Sequence, residues 1–149
     1  MEAMRKLIAL LIGLTPLGIG YFMNDIMMQN QHLLLPYWLI GLIFLVVWCL
    51  VGYLTGDRAK FSVPLLLFAH LPALIALILN LYQEIILGQY WANWIGKATQ
   101  FFFLPLVNIA APLAFWSSRF CAVYVAATIL MAVAYALGAF LKTRKARRS

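Results

Sequence analysis

The chain has 149 residues, 66% of them hydrophobic and only 10% charged, with a formal net charge of +7. Soluble domains are roughly half apolar and about a quarter charged, so this composition cannot clothe a water-facing globule of 16.8 kDa, and a mean hydropathy of +0.95 points to lipid as the main solvent. Disordered, collagen-like and coiled-coil classes are excluded on the same grounds. The expected fold is a single all-helical integral membrane domain. Its four transmembrane helices form a bundle with both termini on the cytoplasmic side, and an extracytoplasmic amphipathic or re-entrant segment joins the third and fourth spans.

In chain order, the first span covers about residues 7–23, follows Arg5 and Lys6, and is apolar apart from Thr15. Gly18 and Gly20 form a small-x-small pair of the kind found beside signal-peptidase sites, but the segment is read as a retained anchor. Thr15 followed by Pro16 predicts a local bend, with the Ile12 carbonyl left in need of another donor. A polar connection with Asn24, Asp25, Gln29, Asn30 and Gln31 then turns the chain. The second span, about 33–54, opens near Pro36, which an early helical position tolerates. Tyr37, Trp38 and Tyr53 suit the aromatic belts of the two interfaces. Residues 55–60 make a short basic turn, read as cytoplasmic. The third span, about 62–82, offers Ser62 as a helix cap and Pro64 in the first turn.

The next stretch does not fit a simple hairpin. Over residues 89–102, Gln89, Asn93, Lys97 and Gln100 share one sector of a helical wheel, and Trp91, Trp94, Ile95, Ala98, Phe101 and Phe102 fill the opposite one. This predicts an interfacial helix lying flat across the bundle like a lid. Residues 103–118 are apolar but interrupted by Pro105, Asn108 and Pro112, and too short to span. They are read as a re-entrant or interfacial stretch packed on the protein. The fourth span, about 120–141, is followed by a basic tail, 142–149, containing Lys142, Arg144, Lys145, Arg147 and Arg148.

Orientation follows from the cations, because cytoplasmic loops collect Lys and Arg. Of the 11, only Lys97 and Arg119 fall outside; Arg5, Lys6, Arg58, Lys60 and the five of the tail fall inside. Both termini are therefore expected in the cytoplasm, with the protein in a bacterial cytoplasmic membrane.

Polar groups inside a bilayer are costly, so each is a functional candidate. His70 lies roughly 13 Å along the third span, near the midplane. Steps of three and four residues lead from it to Ala73, Leu77, Asn80 and Glu84, which predicts a polar seam reaching the outer surface. His70 then either accepts protons or ligand, or donates to a carbonyl on a neighbouring helix as a packing strut. Pro72 leaves the Phe68 carbonyl without its usual donor beside it. Glu84 and Arg119 are expected to pair, Arg119 alternatively gripping a lipid phosphate. The candidate ligand-binding set is thus His70, Asn80, Glu84, Lys97, Asn108 and Arg119. Thr128, Ala132 and Ala136, Ala122 with Ala126, Ala134 with Gly138, and Ala9 with Gly13 predict close helix contacts.

Cys49 and Cys121 form no C-x-x-C pair and read as small buried hydrophobes. No phosphate-binding Gly-rich loop, nucleophile elbow or His–Glu metal motif is present, so no metal or cofactor is expected. Two histidines, one of them in a loop, do not suit a bis-histidine haem. The tail reads as a topological signal, with no nucleic-acid partner; the expected partners are membrane lipids and another integral membrane protein. The leading functional expectation is a non-catalytic accessory or interaction subunit. The alternatives are a binder or transporter of a small molecule or lipid with an outer pocket, and a membrane-embedded enzyme on a lipid-linked substrate, with Glu84 as base and Arg119 holding phosphate.

Overall fold

Apolar chain without water to bond its backbone must satisfy its amides internally, and helices do so within one segment. The computed structural model describes residues 2–30, 32, 35–57 and 61–146, and among them there is no strand. Gln31, Leu33, Arg58, Lys60, Arg147 and Arg148, used in the topology argument above, lie outside the described residues. Seven α-helices follow one another: α1 (Glu2–Gly13), α2 (Thr15–Gln29), α3 (Tyr37–Thr55), α4 (Val63–Leu81), α5 (Trp94–Phe103), α6 (Val107–Leu113) and α7 (Phe120–Ala146). Four stretches are long and apolar enough to cross a membrane: Ala3–Gln29, Tyr37–Thr55, Val63–Ile86 and Phe120–Ala146. By that measure this is a multi-pass membrane protein.

Local chemistry sets the helix ends and breaks. Pro16 has no N–H for the Ile12 carbonyl, so the ladder breaks at Leu14, and the Thr15 hydroxyl donates to that carbonyl at 2.7 Å instead. The first span does not end at residue 23 as expected. It runs to Gln29, whose amide donates to the Asp25 carboxylate one turn back at 2.8 Å, a pairing that supports the helix. Pro36 stands just before α3, not inside it. Ser62 occupies the cap position of α4 but makes no capping bond with its side chain. After Leu81 the helix widens into a π turn, Tyr82–Ile86, in which the Leu87 amide reaches back to the Tyr82 carbonyl.

The tightest crossing is between α3 and α7. Gly52 of α3 lies against the backbone of Tyr135, and Gly138 of α7 against that of Cys49, so each glycine admits the other helix's main chain. Such mutual approach replaces hydrophobic force, which is weak between helices in lipid. α1 packs on α4 with buried Ala9 and with Gly13 at the Ala69 carbonyl, and α4 also meets α7.

α5, a 3₁₀ turn at Leu104–Leu106 and α6 form a short helical hairpin that fills one end of the bundle. Its first arm packs against α2 and α4, its second against α3 and α7. Phe103, Leu106 and Ala110 are buried at its centre, and Gly20 of α2 seats the Phe101 backbone. We call this the capped end and the other, with Arg5, Thr55 and Lys142, the basic end.

One expectation changes here. The helix begins at Trp94, not at 89, because the Asn93 side chain caps it by accepting from the Gly96 amide at 2.9 Å. Its buried residues are Gly96, Thr99, Phe102 and Phe103, while Trp94 and Ile95 are exposed. A polar residue, Thr99, thus lies on the face packed against the bundle, while Trp94 and Ile95 of the apolar sector face away from it.

Replacing Gly138 by Val is expected to cost about 1–3 kcal/mol by overpacking α3 against α7. Gly18→Val, at a site where an added Cβ meets nothing within 4 Å, should cost less than about 0.5 kcal/mol. Thermal unfolding in detergent compares them; equal midpoints would refute the crossing.

Candidate functional site

Three polar clusters stand out among the described residues. In the first, the indole N–H of Trp48 donates to Nε2 of His70 at 3.1 Å. An indole only donates, so Nε2 is unprotonated and Nδ1 carries the proton, donating it to the Leu66 carbonyl at 2.9 Å. The imidazole stands edge-on to Trp48 and Tyr135, with centroids 5.9 and 5.4 Å away, and Phe44 stacks on Trp48. Thr55 gives its proton to the Val51 carbonyl at 2.7 Å, so Tyr135, 2.8 Å away, donates to Thr55. His70 is therefore a buried strut linking α3, α4 and α7 with both nitrogens engaged. Its carbonyl acceptor is on its own helix, and its interhelical bond is received from Trp48.

The second cluster fastens the hairpin to α4. The Asn80 amide donates to the Thr99 carbonyl, and its oxygen accepts from the Thr99 hydroxyl, both at 3.0 Å. Gln83 donates to the Leu79 carbonyl at 3.1 Å and accepts from the Trp91 amide at 2.8 Å. Asn80 and Gln83 are both 0% exposed, so these bonds have no competition from solvent. Sequence reasoning missed Gln83 and Thr99. The available signal was Gln83 standing three residues after Asn80, the spacing that keeps two side chains on one helical face.

Glu84 belongs to neither. The π turn carries its carboxylate to the first turn of α7, where Oε2 accepts from the Cys121 amide at 2.6 Å and the Tyr90 hydroxyl at 2.5 Å. Unbonded N–H groups and the positive end of the helix dipole favour a carboxylate there. Burial, then the bond to Glu84, raises the Tyr90 phenol above its ordinary 10.0. No ion pair joins Glu84 to Arg119 among the described residues, and Arg119 is exposed. The expected pair is replaced by the cap because the backbone of α7 offers the carboxylate a fixed donor. The expected seam from His70 through Asn80 to Glu84 is likewise split by the π turn. Lys97 is exposed on α5, and Asn108 is exposed on α6 beside a shallow depression with Tyr37 and Trp38. The six candidates are not brought together.

What the fold does assemble is a groove of about 350 Å³ on the flank of the bundle. Leu14 at the α1–α2 break, Pro72 and Ile75 of α4, and Trp94, Ala98 and Phe102 of α5 form its walls. Thr99 is the one hydroxyl in the lining, and it is already bonded to Asn80. Among the described residues no buried side-chain polar atom lacks a partner, and no group of three or more His, Cys, Asp or Glu could hold a metal.

These features define a class, an all-helical membrane protein with an internally satisfied polar interior and a lateral apolar groove. Comparison with protein-family models, with curated proteins and with solved structures gives no match for the chain.

Asn80→Leu should destabilise the protein by about 1–3 kcal/mol, since the Thr99 carbonyl and hydroxyl lose a buried partner. Unfolding in detergent measures this; a loss no larger than for exposed Asn108→Leu would refute the fastening role.

Proposed function

We propose that this chain is a non-catalytic membrane protein that seats an apolar chain, a lipid tail, in the groove beside α5. The make-up of the groove carries this reading. Its volume of about 350 Å³ falls within the ~300–1,000 Å³ of small-ligand sites, and its walls are apolar. Leu14, Ile75 and Trp94 are exposed along it, so it opens sideways, where a tail can enter from the bilayer. Two ladder interruptions, at Leu14 and at Pro72, stand in its walls. The interior polar groups are occupied as struts and caps, which leaves an uncharged tail as the fitting occupant and takes away the basis of a proton relay. The enzyme reading needs Glu84 and Arg119 to act together, whereas Glu84 is held by the Cys121 amide and the Tyr90 hydroxyl and no ion pair joins it to Arg119 among the described residues.

A second reading, an accessory subunit docked on another integral membrane protein, draws support from the exposed Trp94 and Ile95 at the groove mouth. A photoreactive phenylalanine analogue in place of Ala98 distinguishes the two. In native membranes it should give lipid-mass adducts several times more often than the same group at Val133, an exposed position on α7. Equal yields at both positions would overturn the lipid-tail reading, and a protein-sized adduct at 98 alone would favour the subunit reading.

We further propose that the basic end faces the cytoplasm of a bacterial cell. Arg5, Lys142, Arg144 and Lys145 belong to it, against Lys97 and Arg119 at the other end, in line with the inward bias of cations. In intact cells a membrane-impermeant maleimide should label Ser117→Cys but not Lys145→Cys; the opposite pattern inverts the orientation.

A further inference from the structure

At the basic end, α3 finishes at Thr55 with its last carbonyls unbonded within the helix, and cations from two other helices reach them. Arg5 of α1 donates to the Thr55 carbonyl at 3.0 Å and the Gly56 carbonyl at 3.3 Å through one terminal nitrogen, and to the Asp57 carboxylate at 3.3 Å through the other. Lys142 of α7 donates to the Leu54 carbonyl at 2.7 Å. Positive charge at a helix C-terminus is favourable, yet this clamp does not use all of Arg5. A guanidinium has five N–H groups, and these three bonds leave two of them, on Nε and one terminal nitrogen, open. The side chain is 43% exposed.

Arg5 borders a depression of about 630 Å³ between α1 and the α3–α7 pair. Its walls are Ile8, Ile12 and Leu54, and its polar rim holds Arg5, Lys142 and Asp57. Among the described residues the rim carries two cations and one carboxylate.

We propose that this depression binds an anionic phospholipid, its phosphate on Arg5 and Lys142 and an acyl chain along Ile8, Ile12 and Leu54. The planar fork of arginine matches two phosphate oxygens. A free phosphate ion makes no use of the apolar walls, and a zwitterionic lipid makes less use of a net positive rim. Asp57 is already bonded to Arg5. The site shares no lining residue with the groove at α5.

The test is native mass spectrometry of the full-length protein in detergent, titrated with phosphatidylglycerol, with phosphatidylcholine and with inorganic phosphate. Phosphatidylglycerol should be retained about tenfold better than phosphatidylcholine, and inorganic phosphate should not compete with it. Arg5→Gln removes the fork, and Ile8→Trp fills the wall while leaving the clamp on α3 intact; each should lower retention about tenfold. Removing two charges outside the depression, with Arg144→Gln and Lys145→Gln, should change retention less than about twofold. Equal retention of the two lipids, competition by phosphate, an unaffected Ile8→Trp, or an equal loss in the Arg144 and Lys145 control would each overturn the proposal. Should Arg5→Gln unfold for want of its clamp, Ile8→Trp decides alone.

Discussion

A polar group taken into hydrocarbon has no water to return to, so whatever this chain buries must be bonded by the chain itself. That constraint accounts for most of what holds the four spans together. His70 sits against Trp48 because an indole N–H and an unprotonated imidazole nitrogen satisfy each other and need nothing more. Asn80, Gln83 and Thr99 gather at one depth because an amide at 0% exposure must meet other donors and acceptors of the chain. With the apolar effect weak between lipid-bathed helices, these bonds and the glycine crossings carry the selection of neighbours.

The same rule, applied to helix termini, explains why the two ends of the bundle differ. α3 and α7 are the most closely packed pair, and each presents an end that its own ladder cannot satisfy. The amide end of α7 receives a carboxylate, Glu84, delivered by the π turn that follows α4. The carbonyl end of α3 receives cations, Arg5 from α1 and Lys142 from α7. The signs agree with the helix dipole in both places. Charges that a topology argument treats as markers of sidedness are thereby also structural: Arg5 ties α1 to α3, and Glu84 ties the end of α4 to α7.

The proposed function lies at the surfaces left over once the interior is satisfied. The hairpin of α5 and α6 is held by a few amide bonds on one side and close packing on the other, and its first arm forms a wall of the flank groove. Trp94, at the groove mouth, packs edge-on against Tyr21 of α2. At the capped end the loop after α6 exposes Phe115 at 89% and Trp116 at 55%, with Phe120 beyond. Aromatic rings of this kind suit the boundary between headgroups and hydrocarbon.

Local and periodic features were legible in the sequence. Apolar runs gave the four long helices, Thr15 with Pro16 gave the break and an Ile12 carbonyl in need of another donor, and Gly13 and Gly138 stood out as points of close approach. The candidate site was less legible. His70 was recognisable as costly, but its partner Trp48 lies 22 residues away, and no spacing rule reaches across a loop. Thr99 went unnoticed because a helical wheel sorts residues by polarity, whereas Thr99 is buried by virtue of the Asn80 it meets. The seam through Glu84 failed for a related reason: a regular 100° step cannot anticipate a π turn.

By itself, then, the sequence determined the solvent, the class and the number of long apolar helices, since these depend on composition and on runs of adjacent residues. Tertiary structure alone decided which polar groups became struts, which charges became caps, and where a groove and a charged depression remained. Each of those outcomes depends on partners distant in sequence, and in lipid it is the available partner, more than the residue, that decides what a polar side chain does.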